Sequence, residues 1–287
     1  MIHLNNLEFG YTRVPLYQGL NLDITSPGVY GLFGRNGSGK STLLKLLTGL
    51  LFPTQGHINV LGYTPAARLP GFLEQIYMVP EEFHLPNITL KALQNSHAPF
   101  YPRFSAADFQ RYCDLFELKF DTRFQAMSLG QKKKSVMAFA LASHTPLLVM
   151  DEPTNGLDII GRDQFKRIMS SAEQQGRTVL ISTHQAHDLQ SLINHILFFE
   201  AGKLVLFEPL TYLQHTLQMG VTPTTETMPE CIYQEAFGEQ TIFVAANNSA
   251  NPSTINLEWL YKALSLNQAA VLNTLKRHPP TKEQVNL

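Results

Sequence analysis

The chain has 287 residues and a formal net charge of −1 at neutral pH. Its 44% hydrophobic and 16% charged content excludes a disordered chain and supports a real core, as one sizeable domain or a domain of about 200 residues with an appendage. The near-neutral balance gives no electrostatic reason to expect a nucleic acid partner, and two cysteines, Cys113 and Cys231, imply no disulfide framework and a reducing compartment.

The N-terminus, Met1-Ile2-His3-Leu4-Asn5-Asn6-Leu7-Glu8-Phe9, lacks the basic start and apolar block of a signal peptide. No uninterrupted apolar run reaches about 18 residues, so the chain is not expected to span a membrane; in a membrane process another polypeptide does the spanning. The first thirty residues read as short strands, with Ile2, Leu4 and Leu7 on one side and Leu20, Leu22 and Ile24 alternating with polar neighbours. Gly28 to Phe33 is a short apolar strand running into a glycine loop. The helix that follows is expected to bury Leu43, Leu44, Leu46, Leu47 and Leu50, with Gly49 and Pro53 bracketing its end.

Residues 89 to 145 read as mostly helical. Ser105 can cap a helix with Asp108 three residues on, after which Phe109, Tyr112, Cys113 and Phe116 share one face. Strand Leu147 to Met150, a helix with Phe165, Ile168, Met169 and Ala172 inward, and strand Thr178 to Ile181 form an αβ rhythm that predicts a parallel sheet covered by helices. Ile196 to Phe207 reads as a hairpin turning at Ala201-Gly202. Residues 211–230 are Thr- and Pro-rich and read as a linker. Residues 231–287 read as a small extension, with a strand near Thr241 to Val244, a helix presenting Leu257, Leu260, Tyr261 and Leu264, and a loose final stretch around Pro279-Pro280.

Gly34-Arg35-Asn36-Gly37-Ser38-Gly39-Lys40-Ser41 fits the G-x-x-x-x-G-K-[ST] phosphate loop between a predicted strand and a predicted helix. Its glycines let backbone N–H groups converge on phosphate oxygens at a helix N-terminus that already favours anions. Gly34, Asn36, Gly37, Ser38, Gly39, Lys40, Ser41 and Thr42 are therefore candidate nucleotide-binding residues. Lys40 is placed to reach the β- and γ-phosphates, which also makes it a catalytic candidate, and Ser41 to ligate Mg²⁺.

Leu147-Leu148-Val149-Met150-Asp151-Glu152 is four apolar residues ending in two carboxylates. A buried strand delivers Asp151 to the sheet edge beside the loop, where it can hold Mg²⁺ directly or through water. By strand alternation Glu152 is expected to point to the other side and to act on a water, as general base or orienting residue.

Met127-Ser128-Leu129-Gly130-Gln131-Lys132 opens an Ala-rich helix and resembles the Leu-Ser-Gly-Gly-Gln signature of the ATP-binding cassette (ABC) ATPases. The order also resembles that family's: phosphate loop, helical insertion, signature, acidic strand, then the lone His184 of Ser182-Thr183-His184 after the next strand. Asp151-Glu152-Pro153-Thr154-Asn155-Gly156-Leu157-Asp158 is close to the family pattern. The resemblance covers roughly residues 1 to 210. It implies an α/β fold: a P-loop NTPase core with a mostly parallel sheet, an N-terminal antiparallel β subdomain, a helical subdomain at about 82–145, and the small C-terminal α+β extension as an addition.

The resemblance further implies ATP with Mg²⁺, and a head-to-tail dimer in which each ATP lies on one subunit's phosphate loop beneath the other subunit's signature. Ser128, Gly130 and Gln131 then belong to the nucleotide site, where a hydroxyl and a close backbone approach meet the partner's γ-phosphate at a helix N-terminus. His184 is implied to hydrogen-bond the γ-phosphate, Asp158 to lie near the dimer seam, and Tyr11 to stack on adenine with Tyr17 as its competitor.

Three departures stand out. Leu129 replaces the first signature glycine and is expected to crowd that turn. Glu81, in Met78-Val79-Pro80-Glu81-Glu82, replaces the usual glutamine; its carboxylate can still reach Mg²⁺ or water but adds negative charge beside a triphosphate. Ile159 stands where proline is usual after Asp158, with no expected consequence. The first two variations resemble bacterial export-type cassettes. Lys132-Lys133-Lys134 is expected to form a solvated helix face, and the helix around Trp259 to serve packing.

A single cassette without spans points to the energy subunit of a transporter. Such a subunit is expected to be peripheral on the cytoplasmic face of the cell membrane and to work with separate transmembrane permease subunits and a second copy or related cassette. Export is favoured over import. The alternative is a soluble ABC ATPase acting on ribosomes or DNA, and neither a second cassette nor zinc-site cysteine spacing nor heptads support it. A nucleotide sensor without turnover is disfavoured by the presence of both Glu152 and His184.

Overall fold

The computed structural model describes residues 1–173, 176–184, 189–223, 231–249 and 251–277. In chain order it contains β1 (Ile2–Phe9), β2 (Tyr17–Ile24), β3 (Gly28–Phe33), α1 (Lys40–Leu47), β4 (Gln55–Val60), α2 (Pro70–Leu73) and β5 (Ile76–Val79). Then follow α3 (Leu90–His97), α4 (Ala106–Leu115), α5 (Leu129–Ala142), β6 (Leu147–Asp151), α6 (Ile159–Glu173), β7 (Thr178–Ser182), β8 (His195–Glu200) and β9 (Lys203–Pro209). The chain closes with α7 (Leu210–Thr216), β10 (Leu217–Pro223), β11 (Cys231–Phe237), β12 (Gln240–Ala246) and α8 (Leu257–Arg277).

The central sheet has the order β5-β6-β7-β3-β8-β9, parallel throughout except for β9, which returns antiparallel on β8 at the edge. Its inner strands are buried on both faces. Leu147 to Met150 and Val179 to Ile181 are each 1% exposed or less, as continuous apolar runs require when helices cover both sides of a parallel sheet. The β8–β9 hairpin turns at Ala201-Gly202, where both residues adopt positive φ, as the sequence predicts.

Two cores flank this sheet. One packs the antiparallel β2-β1-β4 sheet and α1 against it through Ile2, Leu4, Leu7, Leu22, Leu43, Leu44, Leu46 and Leu47. The other joins its opposite face to α3–α6, where Phe139 of α5 meets Phe104, Phe109 and Tyr101 edge-on or tilted. The Ala-rich α5 is buried nearly all round from Ser135 to Ala142, which removes the one-sided pattern of a surface helix. Ser105 caps α4 by accepting from the Asp108 amide at 3.1 Å.

Four expectations need correction. Leu50 is 52% exposed, because α1 ends at Leu47 and Gly49 at φ 69° turns the chain off helical register. Strands β4 and β5 stand where the sequence reading names no element, and β10 and β11 go beyond the single strand read in the extension. The stretch from Thr211 to Pro223, read as linker, forms most of α7 and all of β10; residues 224–230 lie outside the described residues, as does the final stretch 278–287. The C-terminal β10-β12-β11 sheet and α8 share the second core through Leu217, Val244, Leu260 and Leu264, and Tyr261 meets Phe198 of the central sheet at 5.4 Å. Trp259 is partly buried against that core, which agrees with a packing role.

Candidate active site

The loop between β3 and α1 is curled by glycines at positive φ: Gly34 at 151°, Gly37 at 80° and Gly39 at 111°. Two of them are also sterically obligatory. A Cβ on Gly34 would lie 2.2 Å from the Phe199 carbonyl oxygen, and one on Gly39 would lie 2.5 Å from the Tyr17 hydroxyl. Gly39 is the N-cap of α1 and supplies no capping side chain, so the first-turn N–H groups are left for an anion. Ser38 Oγ is buried without a hydrogen-bond partner among the described residues, a further donor fitted to that cradle. Lys40 Nζ donates to the carbonyls of Gly34 at 2.8 Å and Arg35 at 3.3 Å. Burial lowers its pKa, while Glu152, Asp151 and Glu81 act in the opposite direction.

The two tyrosines separate cleanly. Tyr17 is fully buried and donates to Gly39 O at 2.5 Å, and burial drives its hydroxyl pKa upward; it buttresses the loop from beneath. Tyr11 is 64% exposed, lines the cavity over the loop, meets Phe9 edge-on at 5.0 Å and lies 3.2 Å from Thr42 Oγ1.

At the carboxyl end of β6, Ser41 Oγ donates to Asp151 Oδ1 at 2.9 Å, and Ser182 Oγ donates to the same oxygen. Glu152 does not reach its place by strand alternation. The strand ends at Asp151, and Glu152 adopts φ 46°, a left-handed conformation uncommon for a non-glycine residue. Its amide is held by Ser182, and its side chain, 7% exposed, lies 2.9 Å from His184 Nδ1. Asn155 Nδ2 donates to Glu81 Oε1 at 3.0 Å, which gives the unusual carboxylate a local partner.

These groups surround a cavity of about 880 Å³ whose lining includes Tyr11, Asn36, Gly37, Gly39, Lys40, Ser41, Thr42, Glu81, Glu152 and His184. Gly34, Ser38 and Asp151 sit behind that lining, Asp151 being reached through Ser41. The signature residues Ser128, Gly130 and Gln131 do not line it. Ser128 instead caps α5: its Oγ accepts from Gln131 N at 3.2 Å while Gln131 Oε1 accepts from Ser128 N at 3.0 Å, a closed capping box that leaves the Ser128 hydroxyl proton to donate elsewhere. Leu129 does not crowd the turn, because it is the first residue of α5, points outward and is 68% exposed. Asp158 accepts from Gly161 N at 2.7 Å at the start of α6, which Ile159 begins in a largely exposed position.

The lysine run is not a solvated face. Lys133 is 3% exposed and donates to the carbonyls of Glu152 at 2.7 Å and Asn155 at 2.9 Å, while Lys134 donates to Gln164 Oε1 at 2.8 Å. The physical reason is the buried character of α5, which leaves little of its circumference for water. Sequence reading also missed Asn155 and Ser182; an Asn-Gly pair reads as a turn, and a serine ending an apolar strand carries no distinguishing signal.

Comparison with known proteins decides the family. Residues 17–155 match the ABC transporter family. The lantibiotic transport ATP-binding protein SrtF of Streptococcus pyogenes is 30% identical over 213 residues, covering 72% of this chain and 90% of that one. The chain belongs to the ABC transporter family.

The molybdate import ATP-binding protein MolC of Haemophilus influenzae (strain ATCC 51907 / DSM 11121 / KW20 / Rd) is 30% identical over 230 residues, covering 75% of this cassette and 88% of its own length. A solved ATP-binding subunit of an ABC transporter superposes with a TM-score of 0.68 at 25% identity, covering 75% of this cassette and 92% of that chain. The cassette is thus the ATP-binding subunit of an ABC transporter and an ATPase, on the P-loop fold predicted from its sequence.

Proposed function

We propose that this cassette binds ATP with Mg²⁺ and closes head to tail with a second cassette, so that closure and hydrolysis drive separate membrane-spanning permease subunits. The observation that carries this reading is a half-site. One cavity gathers Lys40, Ser41, Glu152 and His184, while Ser128 and Gly130 of the same chain are not part of its lining. A second cassette's signature completes the site, and exposed Leu129, Ile159 and Ile160 beside the signature and Asp158 supply apolar surface for that contact.

In this reading Tyr11 stacks on adenine, and the loop N–H groups from Gly34 to Thr42 hold the phosphates with Ser38 and Asn36. Lys40 leaves its carbonyl partners for the β- and γ-phosphate oxygens. Ser41 Oγ and the Asp151 carboxylate, hard oxygen donors 2.9 Å apart, fit Mg²⁺, with Glu81 as a further oxygen close by. When bound, Mg²⁺ supplies neutralisation of charge developing on the phosphate oxygens. Glu152 accepts the proton of the water that attacks the γ-phosphorus, ADP being the leaving group, and His184, in contact with that carboxylate, hydrogen-bonds the γ-phosphate. Gln131 keeps Ser128 aimed at the partner's nucleotide.

No described helix is long and apolar enough to cross a membrane, which is compatible with peripheral placement on the cytoplasmic face beside separate permease subunits. The second cassette is another copy or a related chain. Export is favoured by Leu129 and Glu81, the two variations that resemble export-type cassettes; relatives named for lantibiotic transport and for molybdate import are each 30% identical to this chain. Purification from detergent-solubilised membranes tests the reading. A stoichiometric multi-span protein that raises ATPase activity supports it; recovery with ribosomes or DNA, or without a membrane partner, overturns it.

A further inference from the structure

A buried ammonium is costly, and Lys133 carries one inside the cassette at 3% exposure. Its two hydrogen bonds go to one short turn, to Glu152 O at 2.7 Å and Asn155 O at 2.9 Å. That turn is the one that leaves β6 and puts Glu152 into its left-handed conformation. Fixing the Glu152 and Asn155 carbonyls fixes the peptide planes around that residue, and so the direction in which its carboxylate leaves the backbone. The side chain of Asn155 in turn holds Glu81, so one lysine braces both carboxylates that line the cavity.

Lys133 also belongs to the second turn of α5, five residues beyond the capping serine Ser128. A helix closed by a capping box and buried along most of its length moves as a unit. Burial, the largest influence, lowers the pKa of Lys133, while Glu81, Glu152 and Asp151 act in the opposite direction and favour its charged form. The neighbouring Lys132 is only half-buried.

We propose that Lys133 is a positioning residue that ties the signature helix of this chain to the turn carrying its own Glu152. The signature covers a partner's nucleotide while Glu152 serves the chain's own, so Lys133 joins the two nucleotide sites in which each chain takes part. Seating of Ser128 on the partner's phosphate pulls on the Glu152 turn through a charged, two-point anchor. This inference rests on the reading of Glu152 as the residue that acts on water.

The test uses the purified full chain with Lys133→Met, Lys133→Arg, Lys132→Met and Glu152→Gln side by side, reading ATPase kinetics and ATP-dependent dimerisation by light scattering. Lys133→Met is expected to lower kcat about ten- to a hundredfold, since small misplacements of a reacting group cost on that order. The KM for ATP and the ATP-dependent dimer are retained, Lys133→Arg recovers most of the rate, and Lys132→Met behaves as wild type. Unchanged kcat in Lys133→Met, with Glu152→Gln inactive, overturns this inference alone. So does a joint loss of dimerisation, KM and rate that arginine does not repair, because Lys133 is then only part of the core. Retained turnover in Glu152→Gln overturns the reading of Glu152, and this inference with it.

Discussion

His184 Nδ1 lies 2.9 Å from Glu152 Oε1, a nearly buried carboxylate touched by a part-exposed imidazole at the wall of one cavity. The contact sets a direction for the carboxylate that the backbone alone leaves open. Glu152→Gln keeps the shape and removes the basic oxygen, so kcat should fall by about 10²–10⁴-fold while ATP still binds. Size exclusion with light scattering should then find an ATP-bound dimer. A Glu152→Gln variant that stays monomeric in ATP contradicts the clamp.

Lys40→Met removes the ammonium that, in the proposed reading, leaves the Gly34 and Arg35 carbonyls for the β- and γ-phosphates. Loss of a charged hydrogen-bonding partner is worth about 1.5–3 kcal/mol, so ATP affinity should drop roughly ten- to a hundredfold or more. Equilibrium binding of a fluorescent ATP analogue reads this directly; affinity within twofold of wild type places Lys40 outside the phosphate site.

Tyr11 and Tyr17 should respond oppositely. Tyr11→Ala removes an exposed ring over the loop and should weaken ATP binding by about 1–3 kcal/mol, with little change in melting temperature. Tyr17→Phe removes the hydroxyl bonded to Gly39 O and should cost about 1 kcal/mol of stability. Calorimetry with and without ATP distinguishes them, and an unchanged affinity in Tyr11→Ala removes it from the adenine site.

Glu208, on edge strand β9, has a pKa raised by burial from 4.5 to about 7. The folded chain therefore binds a proton between those values that the unfolded chain has released. Stability from this group is fully present below about pH 4.5 and is lost as pH rises towards 7 and above. Glu208→Gln should flatten that slope and, on the order of 1–2 kcal/mol, raise stability at pH 8 relative to wild type. Denaturant unfolding at pH 5, 6, 7 and 8 measures it; parallel curves for both proteins refute the assignment.

Much of the fold was legible because its signals are local. The glycine loop, the apolar runs of β3, β6 and β7, the Ser105 cap and the Ala201-Gly202 turn each depend on a few consecutive residues whose backbone preferences are strong. β4, β5, β10 and β11 escaped because short or edge strands carry weak patterns and form only when a neighbour pairs with them. Among candidate site residues, the phosphate loop and the two carboxylates were recognisable as motifs; Glu152 and most of the loop line one cavity, and Asp151 lies behind it, bonded to Ser41.

Sequence alone determined the family, the identity of the phosphate-loop groups and the order in which the acidic and histidine elements follow, since these are written as consecutive residues with little freedom of chemistry. Only the tertiary structure decided which tyrosine is open and which is buried, that Glu152 is turned by a left-handed backbone, and that Lys133 faces inward. The reason is that exposure and direction are properties of what packs alongside. Tyr11 and Tyr17 differ by whether the loop lies over them, and a lysine on a helix is a solvated charge or a buried anchor according to the turn that closes against it.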